Sequence, residues 1–231
     1  MVKFYKNEDR QLIAVDCIIF GFDDGKLKLL LLKRNFEPGK GQWSLAGGFL
    51  KKDESLDESA ARVLLELTGL HHVYLEQVTS CGLVNRDPGE RVVSIAYYAL
   101  LNIKNHNIDL NRDNEICWCP LEEIPELIFD HREMVDKALR RLKRKARIQP
   151  IGFELLPGKF TLPQLQSLYE AIYQKELDKR NFRKKLLSME LLDKLPEKDK
   201  SNSKKGAYLY CFNHIKYKQL VSEGIYFNLD L

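Results

Sequence analysis

Alternating blocks of apolar and polar residues predict strands in the first 100 residues of the chain. Residues 12–20 and 27–33 are apolar runs, and segment 21–26 between them has the Gly and Asp residues typical of a turn. Two further strand-like runs follow at 73–84 and 91–103, the second rich in Val, Ile and Tyr. The pattern predicts a β-hairpin and two more strands.

A helix is predicted between these pairs of strands. Ser55 is followed three residues later by Glu58, which is the signature of a capping box, and Gly69 is typical of the residue that ends a helix. Apolar residues recur at helical spacing between them, at Leu56, Ala60, Val63, Leu64 and Leu67. Another helix is predicted over about 130–146, where it ends in a basic run.

The sequence restarts after this basic run, which indicates a second domain. We expect a boundary near 148–158, where Pro and Gly interrupt the pattern. A capping box at Thr161 and Gln164 then starts a helix, and Asp178 is the candidate N-cap of the next one. Strands are predicted at 191–195 and 207–213, on either side of a lysine-rich connection from Pro196 to Gly206. Helix, turn, helix and hairpin is the order of a winged helix-turn-helix.

Composition restricts the class of protein. With 44% hydrophobic and 30% charged residues among 231, the chain reads as a soluble globular protein, and its longest apolar runs are far below the ~18 residues of a membrane span. Five cysteines without a Cys-x-x-Cys spacing, and no signal sequence, predict a cytoplasmic protein with reduced thiols. We expect no membrane partner.

The net charge of +4 is unevenly distributed. Residues 1–147 contain 23 basic and 23 acidic residues, whereas residues 148–231 contain 14 basic and 10 acidic ones. The whole excess therefore lies in the C-terminal part. Such an asymmetry favours a polyanionic partner, although a solvated surface is the simpler interpretation of charge alone.

A spaced motif surrounds the first predicted helix. The segment resembles the Nudix box at seven of its nine specified positions, which are Gly48, Glu54, Arg62, Leu64, Glu66, Gly69 and Leu70. The segment from Trp43 to Gly48, which leads into the motif, also resembles that family. A capped amphipathic helix alone would not require Gly47, Gly48, Glu54 and Arg62 at these separations. The resemblance implies an α/β/α sandwich with a mixed sheet, in which this segment holds a divalent metal against a nucleoside diphosphate.

Two positions depart from that box. Val63 and Leu67 stand where the family has two glutamates, so Glu66 is the remaining acid of three that would share one helix face. One carboxylate is a poor site for Mg²⁺, which prefers an octahedral oxygen shell. We therefore expect no metal, no cofactor and no catalytic residue in this chain. Glu66 is either a residual ligand or, as we favour, a partner of Arg62 or Lys51.

The helix that begins after Asp178 is a candidate for reading DNA. With Phe182, Leu186 and Met189 on its buried side, its basic residues and one Asn fall on the outer side. Arg and Asn in the first turns of such a helix can pair with base edges, and lysines at the tip of a wing suit phosphates. The candidate DNA-binding residues are Lys179, Arg180, Asn181, Arg183, Lys184, Lys204 and Lys205.

Nearly the whole chain resembles the Nudix-related transcriptional regulators. The resemblance rests on segments 160–172, 177–186, 85–94 and 129–131. It implies an α+β protein with a Nudix-like effector-binding and dimerisation domain at 1–150 and a winged helix DNA-binding domain at 155–231. It also implies a homodimeric repressor on a palindromic operator. The effectors in this group are ADP-ribose and related NAD-derived nucleotides, or pentoses such as arabinose and xylose.

Seven residues are candidates for binding the effector: Arg34, Phe36, Trp43, Glu66, Arg86, Asp87 and Tyr97. The aromatic and hydrogen-bonding groups among them suit a neutral sugar, and the arginines suit a nucleotide that binds without metal. The resemblance is nearer the sugar-responsive branch, so we favour a pentose over ADP-ribose. His131 is interpreted as part of a helix start. The alternative function is an active Nudix hydrolase of nucleoside diphosphate derivatives.

Overall fold

The computed structural model describes residues 7–69, 71, 73–105, 115–201 and 205–229. The N-terminal part contains strands and helices in the order β1 (Leu12–Asp23), β2 (Lys26–Lys33), β3 (Trp43–Ser44), β4 (Ala46–Phe49), α1 (Leu56–Thr68), β5 (Tyr74–Cys81), β6 (Val92–Asn102), β7 (Ile116–Pro120) and α2 (His131–Ile148). The C-terminal part contains β8 (Phe160–Thr161), α3 (Leu162–Tyr173), α4 (Lys179–Ser188), β9 (Leu192–Asp199), β10 (Ala207–Phe212) and α5 (His214–Ser222).

One mixed sheet forms the centre of the N-terminal part. Its order is β3-β2-β1-β6-β5, with β4 paired to β1 and β7 paired to β2. The pair β1 and β6 is parallel, and the other pairs are antiparallel. Both central strands are buried along almost their whole length, which is why their sequences are continuously apolar rather than alternating.

Helices cover both faces of this sheet. Successive side chains of β1 point to opposite faces, so Val15 packs with Val63 of α1 on one face, while Ile18 packs in the other core with Met134 of α2. The predicted α/β/α sandwich is therefore confirmed. The Ser55 capping box and the left-handed Gly69, with φ of 74°, bound α1 as the sequence predicts.

The C-terminal part is a winged helix. A three-stranded sheet in the order β8-β10-β9 packs with α3 and α4, and capping by Thr161 and Gln164 starts α3. Three details differ from the sequence analysis. β9 continues through Pro196 to Asp199, because proline is compatible with an edge strand. The short strand β8 and the helix α5 were not predicted.

The two parts share one hydrophobic core. Leu165, Leu168 and Tyr169 of α3 belong to the same buried cluster as Met134 of α2. The amide of Asn102 donates to the Leu155 carbonyl at 3.1 Å across this junction. Because this core is continuous, the division of the chain into a domain that ends at 150 and a domain that begins at 155 stays a prediction. Within the described residues, no helix has the length and apolar character needed to cross a membrane.

Candidate functional site

A cavity opens beside the central sheet, where β1, β2 and β4 approach the start of α2. Its walls come from six segments of the sequence: Ala14 and Asp16; Leu32 to Phe36; Ser44, Leu45 and Gly47 to Phe49; Leu67; Arg86, Asp87 and Val92; and Phe129 and His131. Glycine is required at one wall position. A Cβ on Gly47 would lie 2.3 Å from Oδ1 of Asp16, so a side chain there would displace that carboxylate.

A buried polar cluster forms the floor of the cavity. The guanidinium of Arg86 binds the carboxylate of Asp130 through two hydrogen bonds, from Nη2 at 2.7 Å and from Nε at 3.0 Å. Asp16 lies 3.7 Å from Arg86 and 3.7 Å from Nε2 of His131, and its Oδ2 accepts a hydrogen bond from Ser94. The Leu45 amide donates to Nδ1 of His131 at 3.1 Å. These contacts fix the positions of four ionisable side chains.

Burial changes the pKa values of this cluster. Desolvation lowers the pKa of His131, and the nearby Asp16 charge only partly opposes this effect, so the neutral imidazole is favoured. Desolvation also acts to lower the pKa of Arg86, but the hydrogen bonds and charge of Asp130 outweigh it, and the net shift is upward. Arg86 is therefore a charged residue whose main partner lies within the protein.

Arg34 is one of three basic residues that line the cavity, together with Lys33 and Arg86. Its guanidinium lies 3.8 Å from the ring centre of Phe36 and 5.7 Å from that of Phe129. Its Nε is buried and lacks a hydrogen-bond partner within the described residues. Desolvation lowers the pKa of Arg34, which shows that the surroundings compensate the charge incompletely. A buried donor of this kind is suited to an anionic group of a ligand.

Four of the seven candidate effector residues line the cavity: Arg34, Phe36, Arg86 and Asp87. Tyr97 does not, because it is 2% exposed in the core beneath α1, where its hydroxyl donates to Asp57 at 2.6 Å. Trp43 packs at the sheet edge under the Lys33 ammonium, which lies 5.8 Å from its ring centre. Glu66 lies on α1, 3.1 Å from Nη1 of Arg62 and 3.9 Å from the Lys51 ammonium.

Sequence reasoning missed Asp16 and Phe129 as cavity residues, and it gave His131 only a capping role. His131 is instead 3% exposed and lines the cavity. A buried aspartate within the apolar run of β1 is the signal that could have pointed to Asp16, since a lone carboxylate in a central strand requires partners.

The Nudix-type segment is stabilised by Arg62. Its guanidinium binds both oxygens of Glu54, at 2.6 and 2.8 Å, and donates to the Phe49 carbonyl at 3.0 Å. The Arg62 hydrogen bond holds the pKa of Glu54 at about 2. Val63 is 2% exposed in the core, and Leu67 supplies an apolar wall of the cavity. The two acids of the motif, Glu54 and Glu66, bind Arg62, and the two positions at which the family has further acids are apolar. This donor set does not fit a divalent metal.

A second candidate site lies on α4. Asp178 caps the helix by accepting from the Asn181 amide at 2.7 Å, and Phe182 and Leu186 are buried. The exposed side carries Lys179, Arg180, Asn181 and Lys184. Arg183 is half-buried, and its Nε has no hydrogen-bond partner in the described part of the chain. Lys205 is exposed beside β10, whereas Lys204 lies outside the described residues.

The wing carries two further lysines that the sequence analysis missed. Lys194 and Lys198 on β9 stand 3.7 and 4.4 Å from the ring centre of Tyr208 on β10. Tyr208 is 41% exposed, so this arrangement brings two ammonium groups together on the surface of the hairpin.

The chain combines a mixed-sheet sandwich, which carries a Nudix-type helix, with a winged helix, which carries an exposed basic helix. This combination defines a class of protein, the Nudix-related transcriptional regulators. Family models agree with this assignment: residues 10–141 match the NUDIX domain, and residues 152–212 match the NrtR DNA-binding winged helix domain. The chain therefore belongs to the NrtR family of these regulators.

Two curated relatives are informative. The ADPR responsive transcriptional repressor NtrR of Acinetobacter baylyi is 37% identical over 205 residues, which cover 87% of this chain and 82% of that protein. An ADP-ribose pyrophosphatase of Methanocaldococcus jannaschii is 30% identical over 140 residues, which cover 60% of this chain and 79% of that protein. These relatives give no support to the pentose that the sequence analysis favoured.

Two solved structures are similar as well. Shewanella oneidensis NrtR in complex with a 27mer DNA has a TM-score of 0.77 and 32% identity, covering 87% of this chain and 93% of that one. The NUDIX domain of the same protein with ADP ribose has a TM-score of 0.53 and 33% identity, covering 61% of this chain and 94% of that one.

Proposed function

We propose that this protein is a transcriptional repressor that binds DNA through its winged helix and ADP-ribose through its Nudix cavity. The proposal combines the family assignment with the names of its relatives, one a repressor responsive to ADPR and one a NUDIX domain complexed with ADP ribose. We further propose a homodimer on a palindromic operator, which matches the two-fold symmetry of such sites.

The observation that carries the choice of effector is the state of Arg34. A partly buried guanidinium without an internal hydrogen-bond partner for Nε is stabilised by an anion, and a diphosphate supplies one. A neutral pentose carries no anionic group that could stabilise this guanidinium. Phe36, 55% exposed beside that guanidinium, offers an aromatic face on which a nucleobase can stack. Asp16 and Asp87 are candidates to accept hydrogen bonds from ribose hydroxyls.

DNA would be read by α4. Arg180 and Asn181 lie in its first turn, where side chains of a recognition helix reach base edges. Lys179, Lys184 and Lys205 are exposed cations suited to phosphates, and Lys194 and Lys198 extend that set along the wing. We also assign Lys204 to the phosphate contacts. Arg183 would have to leave its half-buried position to join them.

Helix α2 is the candidate connection between the two sites. It spans 18 residues, or about 27 Å, from His131 at the cavity to Ile148. At its far half, the Lys143 ammonium donates to the Gln174 side chain at 2.8 Å, and Gln174 ends the first helix of the helix-turn-helix. A ligand that moves Arg86 and Asp130 would therefore move a helix that touches the DNA-reading unit, which provides differential binding to two conformations.

Hydrolysis is the second candidate function, because the chain retains Glu54 and Glu66 and resembles a pyrophosphatase over 140 residues. We favour a receptor without efficient hydrolysis, since those acids bind Arg62 and Val63 lies in the core. Incubation with ADP-ribose and Mg²⁺ or Mn²⁺ should release almost no AMP. Rapid release that is abolished in Glu66→Gln would support the enzyme instead.

Ligand titrations test the receptor directly. Calorimetry with ADP-ribose, AMP, arabinose and xylose should give heat of binding for ADP-ribose, and none for either sugar. The purified protein can also be used to select a DNA duplex from a random pool. The affinity of the protein for that duplex should fall when ADP-ribose is added. Binding of a pentose in place of ADP-ribose, or a duplex affinity that ADP-ribose leaves unchanged, would contradict the proposal.

A further inference from the structure

An open groove lies between β5 and the C-terminal half of α2, and it shares no residue with the effector cavity or with α4. Its β5 side is formed by Val78 and Thr79, and its α2 side is formed by Lys137, Arg140, Arg141 and Arg144. We call this feature the basic groove.

The acids near the basic groove do not balance its cations. Glu133 binds Lys137 at 2.7 Å, and Glu76 is shared by Arg141 and Lys145. Arg140 and Arg144 are exposed and have no acidic partner within the described residues. Five basic side chains thus meet two carboxylates, which leaves a local positive excess.

Helix stability does not account for the two arginines. Arg140 and Arg144 are four residues apart on one helix face, where like charges repel each other. The helix dipole favours cations only in the last turn, and Arg140 lies at the middle of α2. Asp136, four residues before Arg140, binds Arg132 at 3.4 Å, so the charges of Arg140 and Arg144 are available for an anion outside the protein.

The shape of the groove suits a chain of phosphates better than a single nucleotide. Its cations are distributed along the helix, and Arg140 and Arg144 are about 6 Å apart along the axis. Val78 and Thr79 offer no aromatic surface on which a base could stack. The same half of α2 also contacts the helix-turn-helix, through Lys143 and Gln174.

We propose that the basic groove binds backbone phosphates of DNA that lies outside the segment read by α4. This inference rests on the proposed function, because it requires that the winged helix binds DNA. The contacts would add affinity and salt dependence without adding sequence preference.

The test compares two duplexes that share the operator selected in vitro, one trimmed to that site and one with long flanks on both sides. The variant Arg140→Gln/Arg144→Gln removes two charges from the groove, and Arg10→Gln/Lys52→Gln removes two exposed charges elsewhere. Dissociation constants are measured by fluorescence anisotropy between 50 and 200 mM salt. Each lost phosphate contact should reduce the slope of log affinity against log salt by about 0.9.

The proposed homodimer presents one groove to each flank, so the groove variant loses four contacts and should lower that slope by about 3.6 on the flanked duplex. It should leave the trimmed duplex at the wild-type value, while the control variant should change neither. An unchanged slope on the flanked duplex, or equal losses on both duplexes, would overturn the inference. Arg180→Ala distinguishes this result from failure of the proposed function. If it abolishes operator preference while the groove variant has no effect, DNA reading by α4 stands and the groove contact does not.

Discussion

Arg86 and Asp130 join the loop after β5 to the start of α2 through a bidentate ion pair, with Nη2 and Oδ1 2.7 Å apart. The Arg86 side chain is 2% exposed and that of Asp130 is 13% exposed, so the pair is shielded from water. Asp130 directly precedes the first residue of α2. The position of a cavity-lining arginine is therefore linked to the position of the helix that reaches the winged helix.

Replacement of Asp130 should show how strongly this pair stabilises the fold. Asp130→Asn leaves the Arg86 guanidinium buried against a neutral amide, with Asp16 at 3.7 Å as the remaining carboxylate. Breaking a buried pair costs about 3 kcal/mol of unfolding free energy. Urea unfolding followed by circular dichroism measures this loss. The exposed pair of Arg132 and Asp136 on the same helix is the control, and Asp136→Asn should cost below about 1 kcal/mol. Equal losses would contradict the buried role.

Removal of the Arg34 charge should separate ligand binding from stability. Arg34→Met retains an aliphatic side chain beside Phe36 but deletes the guanidinium donors of this cavity-lining residue. We expect ADP-ribose affinity to fall about tenfold or more, as for a lost charged hydrogen bond, and the thermal midpoint without ligand to stay the same or rise. Calorimetry and thermal unfolding measure both. Lys40→Gln, at an exposed position outside the cavity lining, is the charge-matched control, and an equal loss of affinity in it would contradict the assignment.

Local signals explain which elements could be predicted. The Ser55 capping box and Gly69 are adjacent to α1 in sequence, and the helix begins and ends where they indicate. By contrast, β3 and β8 have two residues each, and their conformation depends on pairing with β2 and β10. No short-range pattern reports such a pairing.

The cavity was only partly predictable for a related reason. Asp16, Arg86 and His131 are separated by 70 and 45 positions, and only the parallel pairing of β1 with β6 and the packing of α2 bring them together. Tyr97 shows the opposite error. Tyr97 and Tyr98 point to opposite faces of β6, both buried, so an aromatic residue in this strand does not indicate a ligand surface.

His131 should make stability depend on pH between about 7.5 and 5.5. Burial lowers its folded pKa below the unfolded value of about 6.5, so its contribution is present above pH 6.5 and is lost as the pH falls. The slope for this one proton has an upper limit of about 1.4 kcal/mol per pH unit. Glu54 and Glu76, with pKa values of about 2, lose their contributions only below about pH 4.5.

A substitution isolates this histidine. In His131→Asn, the amide oxygen can accept the Leu45 hydrogen bond but does not titrate, so the unfolding free energy should change less between pH 7.5 and 5.5. His214→Asn alters an exposed histidine and should retain the wild-type slope. Urea unfolding at each pH supplies the measurement. A wild-type slope in His131→Asn would show that another group titrates.

The cap of α4 should control both local stability and DNA affinity. Asp178 accepts from the Asn181 amide at 2.7 Å, and loss of such a cap costs about 1 kcal/mol. Asp178→Ser and Asp178→Ala both remove the charge, but only Ser can still cap, so comparing them isolates the cap from electrostatic repulsion of DNA. We expect the Ala variant to be less stable and to bind the operator more weakly than the Ser variant.

Ser55→Ala, which removes the corresponding cap of α1, should lower stability by a similar amount and leave operator affinity unchanged. Equal operator affinities for the Ser and Ala variants at position 178 would mean that DNA does not depend on an ordered first turn of α4.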